Sequence, residues 1–257
     1  MAAVVLQHVT VAFGPSPALA GIDLVVEAGE CVALMGANGS GKSVLLRAVA
    51  GAVPLGAGRI TVLGHAPGTV PPGQLAFLPQ DPDAGLVGVT VADHFRLGRG
   101  GEDAARWGEA ARRMGLGPWW DRPVDVLSGG EKQRVAMAAW LVGDARVWLL
   151  DEPAAWLDAE GALKVRDAVA ELRRDGATIL WATHDPEDAR EADRVVVLAG
   201  GRIVCDGPPA TVLADPRLAG WGIEPPFPVE VARTLRRHGR PAPLTASWEA
   251  LGQWLRS

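Results

Sequence analysis

Tyrosine is absent from this chain of 257 residues, cysteine occurs twice, and phenylalanine and methionine occur four times each. The basic residues are nearly all arginine, whereas tryptophan is plentiful at ten copies. Cys31 and Cys205 each sit inside an apolar strand-like run, which excludes a disulfide framework. They read as small buried hydrophobes of a reducing compartment. No run of about 18 or more apolar residues occurs, so no segment reads as crossing a bilayer. Residues 1–11 lack the basic start and small-residue cleavage site of a signal peptide. Positive charge is not in excess either. A net charge of -5 and a pI near 5.6 remove the electrostatic reason to expect nucleic acid as a partner. With 48% hydrophobic residues, the chain suffices for one large α/β domain with a small appendage.

What is present is organised around Gly36-Ala37-Asn38-Gly39-Ser40-Gly41-Lys42-Ser43, which fits G-x-x-x-x-G-K-[ST]. Gly39 and Gly41 let the backbone turn tightly and bring N–H groups against oxyanions, where a Cβ would clash. Lys42 supplies a point charge for β- and γ-phosphates, and the Ser43 hydroxyl can ligate Mg²⁺. Residues 31–35 read as a buried strand and 44–50 as the first turns of a helix. The loop between them puts phosphate at a helix N-terminus, where unpaired N–H groups and the dipole favour an anion.

Strands are expected at 4–13, 22–27, 58–63, 75–78, 147–150 and 178–182, with a closing hairpin of 195–198 and 202–205 across Gly200-Gly201. From 93 to 120 the pattern is helical, with Trp107, Ala110, Ala111 and Met114 on one face. The chain between Ser43 and Ser128 exceeds one βα crossover, so an inserted helical subdomain is expected there. Further helices are expected at 132–142 and 162–173. Taken singly, several polar residues are ambiguous. Phe13 could stack on adenine or be ordinary core. Gln80, between Pro79 and Asp81-Pro82, could reach a metal or water or be a solvated turn residue. Ser128-Gly129-Gly130-Glu131 could be a second anion-binding terminus or a plain N-cap. Asp151-Glu152, at the end of an apolar strand, suit Mg²⁺ ligation and activation of a water. His184 could be catalytic or a surface capping residue.

In order, these are a phosphate loop, a Gln loop, Leu127-Ser128-Gly129-Gly130-Glu131, an apolar run with Asp151-Glu152, Leu157-Asp158 and His184. That order and spacing resembles the ATP-binding-cassette (ABC) ATPases, the nucleotide-binding subunits of ABC transporters. The resemblance covers residues 1–215. It implies a P-loop NTPase α/β core with a RecA-like mixed sheet, an N-terminal antiparallel β-subdomain and a helical subdomain at about 81–140. Residues 216–257 are left as a short helical extension. Phe13 takes the adenine-stacking place, residues 36–43 and Val44 bind ATP, and Ser43, Gln80 and Asp151 hold Mg²⁺. Glu152 is implied as general base, with Gln80 and His184 on the attacking water and γ-phosphate. Ser128, Gly129, Gly130 and Glu131 would meet ATP held by a second cassette, the same chain or a paralogue, and Asp158 would communicate across that pair.

Leu78-Pro79-Gln80-Asp81-Pro82-Asp83, Leu86, Thr90-Val91 and His94-Phe95-Arg96-Leu97-Gly98 also look like the Gln-loop region of energy-coupling-factor (ECF) importers. The tail agrees, with Gly222-Ile223, a helix at 229–238, and Leu244-Thr245 capping a last helix striped by Trp248, Leu251, Trp254 and Leu255. This implies a peripheral ATPase on the cytoplasmic face of the membrane. Its partners would be a transmembrane coupling protein and a substrate-binding membrane protein, and its cargo a vitamin or cobalt or nickel ion. The chain departs from the family at Phe13, Val44, Ala154 and above all Trp156, where a small residue is usual. The indole is expected to tuck back against Leu149, Leu150 and the following helix. A soluble ABC ATPase acting on DNA or ribosomes would carry two cassettes or a long coiled coil. A dead scaffold would lack Lys42, Asp151, Glu152 or His184, and a small-molecule kinase would lack the LSGGE stretch.

Overall fold

The computed structural model of the protein describes residues 1–97, 104–245 and 247–256. Along the chain run β1 (Ala2–Ala12), β2 (Pro17–Glu27), β3 (Cys31–Met35), α1 (Lys42–Val49), β4 (Ala57–Val62) and β5 (Leu75–Leu78). Helices α2 (Val91–Leu97), α3 (Ala104–Arg113) and α4 (Gly129–Leu141) precede β6 (Val147–Asp151), α5 (Ala159–Arg174) and β7 (Thr178–Ala182). The rest is α6 (Pro186–Arg190), β8 (Arg194–Ala199), β9 (Arg202–Gly207), α7 (Pro209–Val212), α8 (Phe227–Arg237) and α9 (Trp248–Arg256).

Two sheets result. A three-stranded antiparallel sheet has the order β2-β1-β4, and a six-stranded one the order β5-β6-β7-β3-β8-β9, parallel except for β9. Strands β3, β6 and β7 are buried at every position, as apolar runs covered on both faces must be. Alternation along them divides the core in two. Cys31, Ala33, Met35, Trp148, Leu150, Ile179 and Trp181 face one cluster, shared with α4 and α5. Val32, Leu34, Val147, Leu149, Leu180 and Ala182 face the other, shared with α1 and the antiparallel sheet. Burial pushes the Cys31 thiol up to about 12, so it behaves as an inert hydrophobe.

The structure corrects several expected bounds. β2 begins at Pro17, not at 22, because it is an edge strand, where a leading proline forfeits no ladder bond. The helical stretch expected at 93–120 is not continuous. It contains α2, α3 and a 3₁₀ turn at Gly117–Trp119, while residues 98–103, Gly98 included, lie outside the described residues. Ala110 and Ala111 are buried on α3, but Met114 is buried just beyond it, where the helix has closed. At the last helix the capping hydroxyl belongs to Ser247, which accepts the Ala250 N–H, and not to Thr245. Only Leu251 of the α9 stripe is buried, in a small cluster with Ala232 and Ala242 that Trp254 partly covers. Trp248 and Leu255 face outward.

Candidate functional site

Strand order assembles the site. β7 lies between β3 and β6, and the register pairs Leu34 and Asp151 with Ala182, so the three strands end level with one another. The chain leaving β3 becomes residues 36–43, the end of β6 carries Asp151-Glu152, and Thr183-His184 follow β7. The end of β5, next to β6, delivers Gln80. These residues come together as the motifs required. A cavity of about 340 Å³ is lined by Ala18, Asn38, Gly39, Ser40, Gly41, Lys42, Ser43, Val44, Gln80 and Glu152. A larger cavity of about 650 Å³ lies at the other end of β6 and β7, but its Arg106 and Arg113 are paired with Asp144, Glu109 and Glu171. The phosphate loop lines the smaller one.

Lys42 is buried, and its Nζ donates to the Gly36 carbonyl at 2.8 Å and the Ala37 carbonyl at 3.4 Å. The Ser40 N–H donates to the same Ala37 carbonyl, which closes the loop on itself. Glu152 gathers three partners. Lys42 Nζ is 3.7 Å from Oε1, Gln80 Nε2 donates to Oε2 at 3.3 Å, and His184 Nδ1 is 3.6 Å from Oε2. Glu152 itself holds a left-handed φ of 48° although it is not glycine, a conformation that concentrates at functional sites. Its N–H is anchored to the Ala182 carbonyl.

Asp151 is fully buried. Its Oδ1 accepts from the Ser43 hydroxyl at 2.9 Å, while Oδ2 has no hydrogen-bond partner among the described residues. Burial raises its pKa, so the charged form wants a cation. An orphaned carboxylate oxygen beside a hydroxyl, with the Gln80 amide across the cavity, is an all-oxygen donor set suited to Mg²⁺. The residues present fit that ion.

The remaining candidates occupy separate places. Phe13 is exposed just after β1. Ser128 caps α4, accepting the Glu131 N–H, and Glu131 accepts the Ser128 N–H in return. Glu131 is held below the usual carboxylate range chiefly by that backbone bond, and it also pairs with Arg122 at 2.9 Å. Its carboxylate therefore orders the helix terminus, whose free N–H groups remain the anion-seeking feature. Asp158 caps α5 by accepting the Gly161 N–H at 2.8 Å. Trp156 turns back on its own chain, but onto Gln80 and Gly129, not onto Leu149, Leu150 and α5 as expected. It is 57% exposed and not a core residue.

Two features escaped the sequence. Arg166 on α5 bonds Asp188 Oδ1 at 2.6 Å and Asp185 Oδ2 at 2.5 Å, and Thr183 Oγ1 donates to Asp188 Oδ2 at 2.8 Å. This network braces the loop carrying His184, and Pro186 at the start of α6 was the only local sign of it. The C-terminal segment also reaches the phosphate loop. Gly222, with φ of 72°, lies so close that a Cβ would come within 2.7 Å of Ala37 Cβ.

Comparison with known proteins agrees with this geometry. The family model described as ABC transporter matches residues 19–155. The chain is 33% identical to the energy-coupling factor transporter ATP-binding protein EcfA1 of Levilactobacillus brevis, covering 97% of this chain and 95% of that one. It is 39% identical to the nickel import ATP-binding protein NikO of Rhodobacter capsulatus, covering 81% and 90%. With the cobalt import ATP-binding protein CbiO of the same organism the identity is 36%, covering 91% and 89%. Among solved structures, CbiO1 of Clostridium perfringens superposes with a TM-score of 0.71 at 28% identity, over 93% of this chain and 97% of that one. A dimeric ATP-binding cassette with ADP and phosphate also matches at a TM-score of 0.71 and 25% identity, over 80% and 98%.

Proposed function

Since the chain belongs to the ABC transporter ATP-binding family and is an ABC ATPase, we propose that it powers a membrane importer of the energy-coupling-factor kind, working as one of two paired cassettes. The observation that carries this is the convergence of the phosphate loop, Asp151-Glu152, His184 and Gln80 at the level ends of β3, β6 and β7. Residues 36–44 cradle the triphosphate of ATP and Phe13 stacks on its adenine. Ser43, Asp151 and Gln80 hold Mg²⁺, which neutralises phosphate charge when bound. Glu152 takes the proton of a water that attacks the γ-phosphorus while the bond to the β-phosphate oxygen breaks, giving ADP and phosphate. His184 and Gln80 flank Glu152 and orient that water and the γ-phosphoryl group.

The N-terminal end of α4, at Ser128-Gly129-Gly130-Glu131, meets the ATP of the partner cassette, and Asp158 faces the same interface. ATP then bridges two subunits, and hydrolysis removes the bridge. No described helix is long and apolar enough to cross a membrane. In this reading transport is carried out by membrane subunits, a coupling protein and a substrate-binding protein, with this chain at their cytoplasmic face; relatives named as transporter or import ATP-binding proteins support it. Relatives named for nickel and cobalt import support a small solute, such as a transition-metal ion or vitamin.

The test is Glu152→Gln. The amide keeps the shape but accepts no proton, so ATP binding persists while hydrolysis falls by about a hundredfold or more. Sedimentation should show pairing of this variant only with Mg-ATP, and Ser128→Arg should prevent it by placing bulk and charge at the partner's phosphate loop. Wild-type turnover in Glu152→Gln would reject the base. One mass under all conditions would reject the pairing.

A further inference from the structure

Trp156 is a large apolar side chain left more than half exposed, yet its polar atom is satisfied within its own chain. The indole Nε1–H donates to the backbone carbonyl of Gln80 at 3.0 Å. Its ring lies over the first turn of α4, where a Cβ built on Gly129 would sit 3.5 Å from Cε3 and 3.8 Å from Pro82 Cγ. The Trp156 carbonyl comes so close to Gly130 that a Cβ there would be 2.7 Å from it, so only glycine is accommodated. A second tie runs in parallel, from Lys132 Nζ on α4 to Asp83 Oδ1 at 2.6 Å. Three stretches are thus gathered: 80–83, 128–132 and 156–158.

Those stretches face different nucleotides under the function proposed above, on which this inference rests. The Gln80 side chain reaches Glu152 in its own subunit's site. The α4 terminus meets the ATP of the partner. A two-torsion aromatic strap loses little conformational freedom while fixing both. We infer that Trp156 is a positioning residue that makes the Gln loop and the N-terminal end of α4 move as one body. The occupancy of a subunit's own site is thereby passed to the end that grips the partner's ATP. The indole acts through Gln80 and Gly129 and touches no reacting atom.

The experiment compares Trp156→Phe, which keeps a ring over Gly129 but has no donor, with Trp156→Gly, each in the Glu152→Gln background. Mg-ATP-driven dimerisation is measured by sedimentation, and melting temperature by calorimetry. ATP binding to the monomer is measured with Ser128→Arg added to prevent pairing. Monomer affinity should stay at the parent value, while dimerisation weakens about three- to tenfold in Trp156→Phe, the worth of one hydrogen bond. It should weaken further in Trp156→Gly. With Glu152 restored, the Hill coefficient of hydrolysis for ATP should be lower in both variants than in the wild-type protein. Equal dimerisation constants for all three proteins would overturn the inference, as would tighter pairing of Trp156→Gly. A loss of pairing matched by an equal loss of monomer ATP affinity or of melting temperature would reduce Trp156 to a structural residue. If the Glu152→Gln parent itself never pairs, the paired-cassette reading fails first and the inference falls with it.

Discussion

His94 shows how much one side chain on α2 can report. It is 5% exposed, and its Nδ1 accepts the Val87 N–H at 3.1 Å. Together with the fully buried Gln133 and with Asp81, it lines a small cavity beneath the Gln loop. Burial lowers its pKa from 6.5. Nδ1 accepts the Val87 N–H only in the neutral ring. The folded state therefore takes up this proton at lower pH than the unfolded chain does. Its contribution to stability is fully present above pH 6.5 and is lost as pH falls below that value. Urea midpoints measured from about pH 7.5 down to about pH 5.5 should fall, and His94→Met should flatten the fall. An identical slope in the two proteins would exclude His94 as its source. None of this is visible in the residue letters: at sequence level His94 is one position within an ECF-like stretch, and its burial arises from packing against α4. Trp156 is the same kind of case. Periodicity assigns faces within helices and strands, but Trp156 stands in a loop, where the position of a ring depends on what two distant segments place beside it.

Among elements, the short loop from β7 into α6 bears a heavy structural demand. It must hold His184 beside Glu152, yet His184 is largely exposed and, among the described residues, its side chain is paired with that carboxylate alone. Rigidity comes from beneath, where Arg166 on α5 reaches Asp185 and Asp188 and Thr183 completes the set. Asp188→Ala strips Arg166 and Thr183 of a buried partner. It should cost about 2–3 kcal/mol in denaturant unfolding, and turnover should fall because His184 loses its support. Unchanged stability and unchanged turnover would show that the network braces nothing. Elements of this fold were legible where chemistry is local. β3, β6 and β7 are continuous apolar runs, Gly200-Gly201 punctuates β8 and β9, and the Ser128–Glu131 spacing is that of a reciprocal cap. The first half of β2 was hidden because Pro17 and Gly21 resemble turn residues, and only its edge position makes them acceptable. The Arg166 network was hidden because its members are about twenty residues apart on different elements.

For the whole molecule, two packed cores share one sheet, and the phosphate loop, Gln80, Asp151-Glu152 and His184 lie where that sheet ends. The C-terminal segment belongs to this arrangement more closely than its distance along the chain suggests. Leu218 and Ile223 are buried in the same core cluster as β3, and between them Gly222 lies against Ala37 of the phosphate loop. Trp221, one of ten tryptophans, directly precedes that contact and is partly buried, with the Arg217 guanidinium 4.9 Å from its ring centre. Indole emission responds to the charge and polarity around the ring, so the tail carries a built-in optical probe one residue from the nucleotide loop. Adding ATP should change the emission of the wild-type protein, and Trp221→Phe should reduce that change, leaving the part that arises at Trp156 and leaving the hydrolysis rate as it was. If the full change survives in Trp221→Phe, the signal arises elsewhere. If it shrinks, occupancy of the loop can be followed from the tail in real time, in the assembled protein and without any attached label.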